Sequence, residues 1–119
     1  MDAEQRDLLL SMAYLYSACD RERRALPLLL LVAAERPTDR DCLRALAHAY
    51  TAAGQGDLAM AVIERLETLE GEPHSRGLLL LRSRALHAQS RLPEARACFL
   101  RYTSAPNPAR ISGQNKDVA

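Results

Sequence analysis

Met12–Pro37 reads MAYLYSACDRERRALPLLLLVAAERP, and Leu46–Gly71 reads LAHAYTAAGQGDLAMAVIERLETLEG. Laid one over the other, the stretches keep a spacing of 34 residues: Ala13 falls on Ala47, Tyr16 on Tyr50, Ala25 on Ala59. Just upstream, Leu9 falls on Leu43. A fixed period of that size marks a chain built from stacked copies of one supersecondary unit. The other reading of the apolar block Ala25–Ala34, a membrane span or an export signal, fails on length. A span needs about 20 apolar residues, whereas this run ends in Glu-Arg-Pro. The opening MDAEQRD is acidic where an export signal is basic. The expectation is a cytoplasmic protein without membrane insertion.

The repeated positions follow the tetratricopeptide pattern W-x2-L-G-x2-Y…A-x3-F…P. A first copy reads Leu9, Met12, Ala13, Tyr16, Ala25, Leu29, Pro37. A second reads Leu43, Leu46, Ala47, Tyr50, Ala59, Ile63, with Gly71 where proline is expected. The third comes 36 residues later, as Leu79, Arg82, Ser83, Leu86, Ala95, Phe99. Small residues let paired helices approach, while Leu29, Ile63 and Phe99 fill the gap between them. The expected fold is all-α, with three helix-turn-helix repeats (about 6–39, 40–73 and 76–103) in one domain, 1–103, forming a short right-handed superhelix. Helices are expected over 4–18, 23–36, 40–53, 57–69, 76–89 and 93–103. Gly54 and Gly56 are free to take positive φ, and Asp57 is placed to cap the next helix. Pro93 sits in a first helical turn, where a missing N–H costs least. The proline-containing stretch 104–119 is expected to be a disordered or partner-dependent tail.

Two residues break the pattern. Pro27 lies inside the second helix, which predicts a late start or a kink. Arg82 stands where the pattern wants leucine, so its guanidinium must snorkel, pair or face a partner.

Several functional classes fall away. Net charge is +1 with both signs interspersed, so no basic stripe offers itself to nucleic acid. No Gly-rich phosphate loop, H-E-x-x-H or G-x-S-x-G is present. His48 and His87 have no neighbouring nucleophile or paired carboxylate in the pattern, so the reading is not an enzyme, with no cofactor and no small-molecule substrate. Cys19, Cys42 and Cys98 are far apart and match no metal-ligand spacing, which reads as reduced, buried thiols and no metal site.

What remains is a binding surface. Repeats of this kind bind along the face of their first helices. Helical spacing puts Leu10, Tyr14 and Ser17 there in the first repeat. Arg44, His48 and Thr51 follow in the second, and Leu80, Arg84 and His87 in the third. That mixture suits a peptide with apolar anchors and acidic or carbonyl groups. It lacks the repeated Lys and Asn of a groove for a C-terminal carboxylate. The run Leu26–Val32 holds more leucine than one repeat can bury, which makes Leu28, Leu30 and Leu31 a possible second contact face.

The segments EQRDLLLSMAYLYSACD, PLLLLVAAERPTDRDCLRAL, GQGDLA and LRSRALHAQSRLPEARACFLRY, over about 4–103, resemble the SctY (YscY-type) tetratricopeptide chaperones of bacterial type III secretion. The resemblance implies a cytoplasmic chaperone, peripherally associated with the secretion apparatus. It would hold a small, secreted, helical export protein of the SctX type as a heterodimer and dock it on the export-gate protein. The alternatives are a self-associating scaffold or adaptor, or a chaperone of a translocator or needle subunit.

Overall fold

Each turn between paired helices reverses the chain through one left-handed residue, and the three turns are copies of each other. Asp20 (φ 57°), Gly54 (φ 78°) and Ser90 (φ 62°) occupy the same place in successive repeats. In each turn the next amide reaches five residues back: Arg21 to the Tyr16 carbonyl (2.8 Å), Gln55 to Tyr50 (2.8 Å), Arg91 to Leu86 (2.9 Å). This closes the preceding helix and satisfies a carbonyl left over at its end.

The computed structural model describes residues 1–71 and 76–104. They form six helices: α1 (Ala3–Ala18), α2 (Glu22–Glu35), α3 (Arg40–Ala52), α4 (Gly56–Glu70), α5 (Arg76–Ala88) and α6 (Leu92–Ser104). No strand occurs among the described residues, and each helix limit lies within one residue of its expected place. The fold is all-α. Of the expected tail, Ser104 closes α6, and 105–119 lies outside the described residues.

Local chemistry explains the ends. Asp2 accepts from the Gln5 amide (2.8 Å) while the Gln5 side chain accepts from the Asp2 amide (3.1 Å), a reciprocal cap on α1. Asp39 caps α3 through the Cys42 amide (3.1 Å). Gly71, at φ 71°, ends α4 in place of the expected proline. Asp57 does not cap α4. The cap position is Gln55, without a side-chain bond, and Asp57 lies inside the helix accepting from Gln89. Nor does Gly56 use positive φ. It is buried and helical, and a Cβ there would stand 2.6 Å from the Ala85 carbonyl oxygen of α5. Its missing side chain serves close packing. The late start expected from Pro27 is absent too, since α2 begins at Glu22 with Pro27 inside it. The Arg23 carbonyl, four residues back, loses its helical donor. Arg23 and Pro27 are both exposed, so water can take the donor's place.

Successive helices pack as three antiparallel hairpins, and each second helix packs on the first helix of the next hairpin. The first helices also meet across repeats, α1 with α3 and α3 with α5, whereas the second helices do not. One core cluster joins α1, α2 and α3 through Leu10, Ala13, Ala25, Leu29, Val32, Cys42, Leu46 and Ala49. A second joins α3, α4 and α5 around Ala47, Ala59, Ile63, Leu66, Leu78 and Ala85. Phe99 departs from its expected role. Leu29 and Ile63 are covered by the helix that follows them, but no helix follows α6 among the described residues, and Phe99 is exposed.

Polar bonds fix the seams. Arg6 of α1 grips Asp39 with Nε (2.7 Å) and Nη2 (2.9 Å), and Nη2 also reaches Asp41 (3.0 Å). The carboxylate that caps α3 is thereby held from α1, and Arg6 is the main reason it titrates below its ordinary 3.8. Cys42 Sγ donates to the Leu29 carbonyl (3.3 Å), and burial pushes its thiol up to about 11. Cys98 is buried as well, but Cys19 is exposed, against expectation, because it ends α1 at the turn. Arg82 meets its cost by pairing with Glu67 of α4, both side chains being largely buried.

Gly56→Ala should destabilise the protein by about 1–3 kcal/mol in urea unfolding, because backbone must shift. Gly77→Ala, with open space around its Cβ, should stabilise by up to about 1 kcal/mol. Arg6→Met should cost about 1–3 kcal/mol at pH 7. The folded Asp39 holds its charge to lower pH than the unfolded one. Its contribution is therefore full above 3.8 and lost as pH falls through the lower folded value. Unfolding curves of the two proteins should accordingly converge in acid.

Candidate partner-binding groove

The exposed edges of α1, α3 and α5 carry most of the residues that helical spacing selects, but not all. Tyr14, Arg44, His48, Arg84 and His87 are exposed, and Ser17, Thr51 and Leu80 are half-buried. Leu10 is not part of this surface. It lies three residues before Ala13, on the stripe that faces α2 and α3, and is buried in the first core cluster. On α2, Leu30 and Leu31 are exposed as expected, whereas Leu28 is half-buried against the same cluster. The expected second face is therefore narrower.

The structure draws part of the surface into a cleft of about 550 Å³ at the α5–α6 end. Thr51 enters from α3, and Arg84, His87 and Ala88 from α5. Leu92, Ala95, Arg96 and Phe99 form the α6 wall. The α6 residues escape a reading confined to first helices. Their signal was Phe99 itself, a covering residue with no helix after it among the described residues.

The electrostatics separate arginines that are already paired from those that are not. Arg44 is bonded to Glu70 of α4. Arg84 instead directs Nη1 at His48 Nδ1 (3.1 Å). A guanidinium can only donate, so His48 Nδ1 carries a lone pair and the ring is neutral with its proton on Nε2. Desolvation, and then the Arg84 charge, hold His48 below its ordinary 6.5, against an opposing pull from Glu22. Thr51 spends its hydroxyl proton on the Ala47 carbonyl (2.8 Å), leaving an acceptor toward the cleft. The Tyr14 hydroxyl is pushed above 10, by desolvation first and then by Asp41. None of the described residues lining the cleft is a carboxylate, and two are arginines.

Such a surface can hold an apolar side chain over Leu92, Ala95 and Phe99 while guanidinium groups bind carboxylates at the rim. Among the described residues no group of His, Cys, Asp and Glu side chains is arranged to hold a metal ion. No described helix is long and apolar enough to cross a membrane. No family model matches the chain, and no curated protein matches it.

Arg84→Ala should raise the His48 pKa toward 6.5 without restoring it fully, because desolvation, the larger cause, persists. An NMR titration of the imidazole measures this, and an unmoved pKa would show that the two side chains do not meet.

Proposed function

We propose that this protein is a chaperone of type III secretion that binds a small, secreted, helical export protein of the SctX type in the bacterial cytoplasm. The complex then docks on the export gate. The proposal contains no bond-making chemistry: the partner's apolar helix face is kept from water until it is handed on. The observation that carries it is the α5–α6 cleft, where Leu92 and Phe99 lie beside Arg84, Arg96 and His87 with no carboxylate among the described lining residues. An amphipathic helix with acidic residues along its apolar edge complements that chemistry. Tyr14, His48 and Thr51 extend the surface along the first helices. The resemblance of 4–103 to SctY chaperones supplies the biological setting.

A second reading has its own observation. Leu30 and Leu31 stand exposed side by side on α2, which favours a self-associating scaffold.

Co-expression with an SctX-type protein should give a stable one-to-one complex. Replacing Arg84 and Arg96 by Glu should weaken it at least about tenfold, roughly one charge-assisted bond, with helical circular dichroism unchanged. A complex of undiminished affinity would refute the proposal.

A further inference from the structure

The same joint is made twice inside the chain, and among the described residues each end carries one half of it unmade. On the first helices the joint uses Cys42, Leu46 and Ala49 in α3, and Leu78, Arg82 and Ala85 in α5. Cys42, Leu46 and Ala49 are at most 4% exposed, in one cluster with Leu29 and Val32 of α2. Leu78 and Ala85 are at most 2% exposed, clustered with Ile63 and Leu66 of α4. The matching residues of α1, 34 positions before those of α3, are Leu8, Met12 and Leu15, and they are 61%, 37% and 69% exposed.

The second helices give the complementary half. Leu29 and Val32 in α2, and Ile63 and Leu66 in α4, are fully buried. Their counterparts in α6 are Phe99, 46% exposed, and Tyr102, half-buried beside it. The α5–α6 cleft continues this half-joint. Its Ser83, Ala95 and Phe99 correspond to Ala47, Ala59 and Ile63, the residues clustered with Leu78 and Ala85 of α5. The cleft is therefore shaped for the first helix of another hairpin.

We infer that α1 of a second copy of this chain seats in the α5–α6 cleft, head to tail, in the register by which α3 follows α2. Charge is compatible with this occupant, since Glu4 is exposed on α1 and Arg96 is exposed on α6, where it lines the cleft. The register also places Leu92 against Leu15, as Gly56 stands against Ala85 within the chain. A leucine in the glycine's place holds these helices farther apart than the internal joint, so the association is weaker and reversible. The contact is heterologous and leaves a free half at each end of every oligomer, so assembly grows with concentration. It rests on the repeat register and not on the export reading, and an export partner seated in the same cleft would displace the second copy.

Sedimentation of the full chain over a wide concentration range should show an average mass that rises continuously past twice the monomer. Leu15→Glu and Phe99→Glu should each sediment as folded monomers, by circular dichroism and mass. Mixing the two should restore a species of twice the monomer mass and nothing larger, because one has kept only the cleft and the other only α1. If Phe99→Glu fails to fold, Leu92→Glu, at an exposed position, replaces it. A wild type that is monomeric throughout overturns the inference. So does a Phe99→Glu chain that still dimerises, which would mean symmetric α1 pairing, or a mixture that stays monomeric.

Discussion

Packed helices lie about 8–10 Å apart according to the side chains that meet between them, and this chain places small ones inside each hairpin. Ala13 and Ala25 let α1 and α2 close on each other, and Ala47 and Ala59 do the same for α3 and α4. Ser83 and Ala95 serve the third hairpin, where the Ser83 hydroxyl donates to the Ala95 carbonyl at 2.9 Å. Gly56 takes the requirement to its limit against α5. Once these distances are set, each large neighbour has one place to go: Leu29 and Ile63 plug the space between a hairpin and its successor. Helix propensity alone would leave the six segments free to pack in many ways.

Around this apolar framework the arginines of the first helices act as ties. Arg6 holds Asp39, Arg44 holds Glu70, Arg82 holds Glu67, and Arg40 reaches the Leu69 carbonyl at 3.1 Å. Each tie crosses between elements, and most are part-exposed, so they set register more than they add stability. Seen against them, the Arg84–His48 contact is of a different kind. The guanidinium rests on a neutral ring and keeps its full charge facing the cleft. That contrast distinguishes an arginine placed for the fold from one available to a ligand.

Much of this was legible in the sequence because a repeat period is a strong constraint. Helix limits, the left-handed Gly54 and the need for Arg82 to find a partner all followed from position. The period is blind to the ends of the array, however, and to how an individual side chain resolves a local conflict. It ranked Phe99 with Leu29 and Ile63, although among the described residues only the latter two have a successor helix above them. It put Leu10 in the groove by analogy with Arg44 and Leu80, while the stripe it shares with Ala13 turns it inward. It gave Asp57 a capping role, but the helix begins at Gly56 and the cap position falls two residues earlier, on Gln55. Gly56 looked like part of a flexible turn, and only the neighbouring Ala85 carbonyl reveals why no larger residue fits. The resemblance to secretion chaperones lies on yet another footing, as it concerns a partner that this chain does not contain.

The pairing of Arg82 with Glu67 makes the array unequal along its length. Between the first and second hairpins the central position is Leu46, buried among Leu29 and Val32. Between the second and third it is an ion pair, whose formation desolvates two charges and recovers less than packed hydrocarbon would. In a stack whose stability is a sum of units and nearest-neighbour couplings, the weaker coupling decides where cooperativity breaks. The joint between the second and third hairpins is the one that sets a polar contact at its centre, with Ile63, Leu66, Leu78 and Ala85 packed around it. The hairpin that carries the cleft is thus joined to its neighbour by charge at the position where the other joint uses leucine.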